Sequence, residues 1–153
     1  MRWRSHLRTV VIVVATGLDS IRLSTRAKDE ILDITEEVQR IVSSSGLKNG
    51  IACVFVAGST AAVTTVEYEP GLVSDMHDAM DRLYPKDLDY EHHLRWGDGN
   101  GHSHVRASFL GPSLSVPVVD GRLLLGTWQQ IVFMELDNKP RTREVFVQIV
   151  GDG

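Results

Sequence analysis

Ser113-Leu114-Ser115-Val116-Pro117-Val118-Val119-Asp120-Gly121-Arg122-Leu123 is the stretch that decides the fold. Ser113 to Val119 reads as a strand. Asp120-Gly121 is a two-residue hairpin signal, because both central positions of the favoured turn take positive φ and Asp and Gly tolerate it. A second strand follows, Leu123 to Leu136, then a turn at Asp137 to Pro140 and a third strand, Thr142 to Val150. Strands joined by short turns pair antiparallel. Pro117 cannot donate to a ladder, which puts its strand at an edge or a bulge.

Working outward from this hairpin, Ser103 to Leu110 also reads as a strand, closed by a turn at Gly111-Pro112. Asp87 to Gly101 is a polar stretch without periodicity and is expected to be a long loop, the kind that often carries function. Leu72, Met76, Met80 and Leu83 recur at helical spacing and stop before Pro85. Thr60 to Tyr68 is rich in β-branched residues and reads as a strand, as does the apolar run Ile51 to Val56 around the single cysteine, Cys53, a buried thiol on this reading. Asp33-Ile34-Thr35-Glu36 has capping-box spacing ahead of the stripe Ile34, Val38, Ile41 and Val42, with Gly46 as the stop. Ile21 to Thr25 is a further strand. Strands and helices that do not alternate strictly give an α+β class with a mainly antiparallel, sandwich-like core.

The chain has 153 residues, 42% hydrophobic and 24% charged, with a formal net charge of -4. That supports one domain and excludes a disordered chain. The acidic balance and the lack of a basic run argue against a nucleic-acid partner. One cysteine excludes an internal disulfide. At the N-terminus, Arg2, Arg4 and Arg8 precede an apolar run, as in a signal peptide. That run is about ten residues, too short for a bilayer. No small-x-small cleavage site follows, and Asp19 and Arg22 come soon after. Residues 1–20 are read as an extension of doubtful status or an extra strand, residues 21–153 as the domain, and the protein as cytoplasmic with no membrane partner.

Candidate chemistry centres on Gly101-His102-Ser103-His104. On a strand, residues two apart share a face, so His102, His104, Arg106 and Ser108 would present two imidazoles, a guanidinium and a hydroxyl together. With His92 or Asp98 from the preceding loop, His102 and His104 would make a three-ligand site for a divalent transition metal such as zinc, with a position open for water or substrate. Nickel, copper or iron suit the same donors. In the alternative, His104 moves a proton. Arg106 would bind an anion, and Glu67 is a candidate base. Ser59 and Thr60, after Gly58, are placed to hold a phosphate oxygen. Trp128 and Gln129 combine an aromatic face with an amide, as core or as a cofactor platform. Ser113 lacks a nucleophile-elbow context, so a serine hydrolase is not expected.

The specific stretches are VAGSTAAVTT at 56–65, YEPG at 68–71, DGNGHSHVRA at 98–107, LGPSL at 110–114 and LGTWQQI at 125–131. In this order they resemble the YjbQ family, a group without an assigned function, from about Ile21 to Gly151. The resemblance implies a compact α+β fold assembled as a homotrimer, with its site near subunit boundaries. It marks His92 and His104 as recurring histidines and places His102 in a Gly-His-Ser-His form of a subset. Glu67, Trp128 and Gln129 lie in matching segments. Many relatives carry histidine where this chain has Gly58. The family is also associated with a thiamine-phosphate-synthase label. That chemistry needs a phosphate cradle, for which Arg106, Arg141 and Arg143 are available, and a divalent metal, for which no acidic cluster is evident. The reading that results is a small trimeric enzyme acting on a phosphorylated or polar small molecule. A non-catalytic small-anion-binding module is the alternative.

Overall fold

The computed structural model describes residues 14–27 and 29–152. The basic Met1–Arg8 stretch and the start of the apolar run after it lie outside the described residues. In chain order the elements are β1 (Ala15–Ser24), β2 (Ile31–Asp33), α1 (Thr35–Ser45), β3 (Asn49–Val56), β4 (Ala61–Val66), α2 (Pro70–Leu83), α3 (Glu91–Trp96), α4 (Gly101–Leu110), β5 (Ser113–Val119), β6 (Arg122–Leu123), β7 (Gln130–Glu135) and β8 (Thr142–Asp152). The fold is α+β. All strand pairings are antiparallel.

A five-stranded sheet runs β1-β8-β3-β5-β6 and a three-stranded sheet runs β2-β7-β4. Val54 and Val56 of β3, with Val145, Val147 and Ile149 of β8, face Ala61, Val63, Ile131 and Phe133 of the small sheet. Helix α1 packs on the same inner face through Val38 and Val42, both 0% exposed. The opposite face of the small sheet carries Ala62, Val132 and Met134, and it packs against α2 and α4 through Val73, Met76, Ala107 and Leu110. Strand β7 is therefore buried on both sides, which is why its sequence is a continuous apolar run rather than an alternation.

The hairpin at Asp120-Gly121 forms as expected, with φ of 51° and 73° and Val119 paired with Arg122. Helix α1 ends at Gly46, φ 73°. Its start differs from the capping box. Ile34 is the N-cap, and Asp33 instead accepts from the backbone N–H and the hydroxyl of Thr35, at 2.9 and 2.6 Å. Strand β1 extends upstream of Ile21, pairing from Ala15 with Gly151. The long strand expected over Leu123 to Leu136 is interrupted, with a loop between β6 and β7. The run around Cys53 alternates, since Ile51 is 52% and Phe55 40% exposed on the outer face and Cys53 is half-buried.

The main correction concerns the histidine segment. Ser103 to Leu110 is not a strand but most of helix α4, and the expected loop before it contains helix α3. The residues buried in α4 are Gly101, His102, Ser103, Arg106 and Ala107. That spacing follows a 3.6-residue period, but three of the five are polar, so the stripe does not show as an apolar one. Phe109 is 73% exposed and lies against Tyr84, with ring centroids 4.9 Å apart. Among the described residues, no helix is long and apolar enough to cross a membrane.

Candidate functional site

A helix turns about 100° per residue, so side chains two apart point to nearly opposite sides. Helix α4 therefore separates the two histidines that a strand would have aligned. His102 faces inward, 4% exposed, with its ring 6.3 Å from that of Tyr90 and its Nε2 3.3 Å from the Ser103 hydroxyl. Among the described residues its Nδ1 has no hydrogen-bond partner. Burial, then the Arg106 charge, holds its pKa below the usual imidazole value. His104 turns instead toward His92 of α3, with ring centroids 4.4 Å apart and planes at 35°.

Arg106 shares the His102 side. Its guanidinium is fully buried. Nε donates to the Tyr84 carbonyl at 3.0 Å and Nη2 to the same oxygen at 2.7 Å. Nη1 meets Asp29 at 3.1 Å and Nη2 meets Asp81 at 2.7 Å. The Arg106 bond is the main reason the Asp81 carboxyl sits below its ordinary value. These bonds tie α4 to the end of α2 and to the β1–β2 connection, and the guanidinium does not face the cleft that His104 lines.

That cleft, of about 370 Å³, lies at the end of the sandwich where β4 and β8 begin and β7 finishes. Ser59 and Thr60 come from the β3–β4 turn, His104 and Asn100 from the start of α4, Asp137 and Arg141 from the β7–β8 turn, and Arg143 from the start of β8. The small residues of the turn let the chain reverse close to β8. The Thr60 hydroxyl donates to Asp137 at 2.9 Å. Asp137 also receives Arg141 Nε at 3.0 Å. Burial raises the Asp137 pKa, but the Thr60 and Arg141 hydrogen bonds outweigh it and hold the carboxyl below its usual range. Arg143 is clamped by Glu135, which is 0% exposed, with Nε donating at 2.7 Å and Nη2 at 2.5 Å.

Behind His104 the groups continue in a row. His92 Nδ1 is 3.4 Å from Asp98 Oδ1, too poorly aligned for a hydrogen bond, and among the described residues Nδ1 has no hydrogen-bond partner. Asn100, with its amide nitrogen turned toward Asp98, donates to both carboxylate oxygens at 2.9 and 3.1 Å. Burial pushes the His104 pKa down first, and the neighbouring His92 adds to it against the pull of Asp98 and Asp137. A neutral imidazole at the wall of a polar cleft is a proton acceptor near neutral pH.

The residues present do not fit the three-ligand metal site expected from His92, His102 and His104. His102 is on the other side of α4. Among the described residues, no group of three or more His, Cys, Asp or Glu side chains is arranged to hold a metal. Glu67, Trp128 and Gln129 lie at the far end of the small sheet. Ala61 pairs with Glu135 at the cleft end and Val66 with Gln130 at the other, so roughly 17 Å of strand separates the two groups. There Trp128 is 71% exposed, and Gln129 Nε2 donates to the Thr65 hydroxyl at 3.1 Å. Glu135 and Asp137 are site residues that the sequence reading missed. Two acids two apart, Glu135 and Asp137, precede a turn and two arginines two apart, Arg141 and Arg143, follow it, and that spacing was the available signal.

Residues 19–152 match the family described as UPF0047 protein YjbQ-like. A UPF0047 protein of Methanothermobacter thermautotrophicus is 43% identical over 129 residues, covering 84% of this chain and 88% of that protein. UPF0047 protein YugU of Bacillus subtilis is 36% identical, covering 88% and 99%. A crystal structure of a YbjQ-like protein of unknown function from Sulfolobus solfataricus superposes with a TM-score of 0.87 at 39% identity, covering 92% of this chain and all of that one. The chain belongs to the YjbQ-like UPF0047 family.

Proposed function

We propose that this chain is a small enzyme that binds a polar small molecule with an acidic end, phosphorylated or otherwise, in the cleft between the β3–β4 and β7–β8 turns, and that His104 moves a proton on it. One observation carries this reading. A half-buried imidazole with a depressed pKa lines the same cleft as two arginines and two hydroxyls. Ser59 and Thr60 contribute hydroxyls, and Arg141 and Arg143 the charge. Asp98 and His92 stand behind His104, where His92 disfavours a second positive charge beside it. No step in this reading passes through a metal.

The described chain places no free carboxylate beside His104 to serve as a partner acid, because Asp137 is already engaged by Thr60 and Arg141. That favours, as second reading, a module that binds a small anion without turning it over. A metabolite screen by thermal shift followed by product analysis separates the two. Turnover that is lost in His104→Gln with ligand binding kept supports the enzyme. Stabilisation with no product from any stabilising compound supports the module. A pyrimidine diphosphate with a thiazole phosphate belongs in the screen, as the test of thiamine-phosphate-synthase-like activity.

We further propose that copies of the chain assemble as a homotrimer. Ile51, Phe55 and Val150 form an exposed apolar patch with neighbouring Leu18 on the outer face of the five-stranded sheet, an arrangement suited to a subunit contact. Light scattering that gives a single chain mass at micromolar concentration refutes it.

A further inference from the structure

One wall of the cleft has no side chain. A Cβ built on Gly58 would lie 2.9 Å from Arg143 Nη1 and 3.8 Å from its Cζ. Gly58 is not among the glycines with positive φ. What a side chain at 58 would take is therefore space, and the guanidinium of Arg143 already fills it.

Arg143 is held on two of its edges. Nε and Nη2 bind Glu135, and Nη2 also donates to the Thr60 hydroxyl at 2.9 Å. Glu135 is itself fixed by the Thr25 hydroxyl at 2.8 Å and by the Asp137 N–H at 3.0 Å. The Arg143 side chain is 10% exposed. Nη1 is the remaining nitrogen, and among the described residues it has no hydrogen-bond partner. A planar guanidinium that is locked on one side and open on the other is a preorganised donor for an oxyanion.

The charges nearby decide which oxyanion. Arg141 is paired with Asp137 and Arg143 with Glu135. The cleft thus offers unfilled hydrogen-bond donors but no surplus positive charge, and His104 is neutral. A ligand with one negative charge meets those donors without opposition, whereas a second charge on the same group has no counter-charge and sits close to two buried carboxylates.

We propose that Arg143 Nη1, admitted by the missing side chain at Gly58, is the specificity-determining grip of the cleft, and that it takes a singly charged oxyanion group, a carboxylate or a phosphodiester, in preference to a dianionic phosphate monoester. This rests on the reading of the cleft as a binding site for a small acidic molecule.

The test titrates acetate, dimethyl phosphate and methyl phosphate into the full chain at about pH 8, where a phosphate monoester is doubly charged, following the Gly58 and Ser59 amide signals by nuclear magnetic resonance. Either or both monoanions are expected to bind the wild type more tightly than methyl phosphate. In Gly58→Ala the new methyl meets only the tip of the Arg143 side chain and no backbone, so the fold should survive with Nη1 displaced and monoanion affinity lowered at least about tenfold. Arg143→Lys keeps the charge against Glu135 but loses Nη1, and should show the same loss. Unchanged monoanion affinity in both variants overturns the role of Nη1. Binding of methyl phosphate at least as tight as that of both monoanions overturns the charge class and leaves the cleft as a binding site. No binding of any of the three probes to the wild type overturns the reading of the cleft itself.

Discussion

Replacing Arg106 with Met keeps most of the side-chain volume and removes the charge. Removing one partner of a buried ion pair costs about 3–5 kcal/mol, because the other is left uncompensated. Here the loss is moderated. Asp29 keeps Lys86 at 2.6 Å, and the Asp81 side chain is 57% exposed and rehydrates. The Tyr84 carbonyl, however, loses both its guanidinium donors. The lower end applies, about 3 kcal/mol. For a chain of this length that is a fall in melting temperature of about 6–12 °C, at about 2–4 °C per kcal/mol. Urea denaturation gives the free energy and a scan of small anions gives the affinity. Asp81→Asn, as control, should cost no more than about 1 kcal/mol. An Arg106→Met variant within about 0.5 kcal/mol of wild type refutes the structural assignment. So does one of normal stability that has lost anion affinity, because the guanidinium would then be serving a ligand.

Stability should also depend on pH through the two α4 histidines. His102 and His104 have folded pKa values below the unfolded one. As pH falls, the unfolded chain takes up these protons first. Their contribution is complete above the unfolded value, about 6.5, and is lost as pH drops below it toward the folded values. The urea midpoint should therefore be lower at about pH 5.5 than at about pH 7.5, and His102→Gln should flatten part of the difference. An unchanged midpoint contradicts the burial of these rings. At the opposite side of the molecule, a Cβ on Gly50 would sit 2.2 Å from the Val150 carbonyl oxygen and 2.7 Å from Gly151 Cα. Gly50→Ala should cost more than about 2 kcal/mol, as the paired backbones of β3 and β8 must part. A neutral result in a denaturation curve would show that the strands are not in this register.

Elements that bury an apolar face were legible in the sequence. The stripe of α1, the pattern of α2 and the Asp120-Gly121 turn each announce themselves through residues whose local preference agrees with the fold. Helix α4 did not, because its inward face is polar, His102, Ser103 and Arg106, and Arg106 is satisfied by partners far away in the chain. Those partners, Asp29, Asp81 and the Tyr84 carbonyl, leave no periodic trace. With α4 taken as a strand, His102 and Arg106 were placed beside His104 in one row, whereas the helix sends them to the opposite side. The proximity of His92 to His104 needs only that the preceding segment fold back. Glu135 and Arg143 are separated by a turn and joined across two sheets, and only the packing of those sheets reveals that one holds the other.

Strand β7 has a further consequence. On one side its Glu135 fixes Arg143, and on the other its Met134 and neighbouring Leu136 seat Ala107, one helical turn from His104. The imidazole and the guanidinium are thus mounted on opposite sides of a single strand that has no solvent-facing surface. Their spacing is set by the thickness of a β-strand and its packing, so both groups line the cleft without a hinge having to close to bring them together.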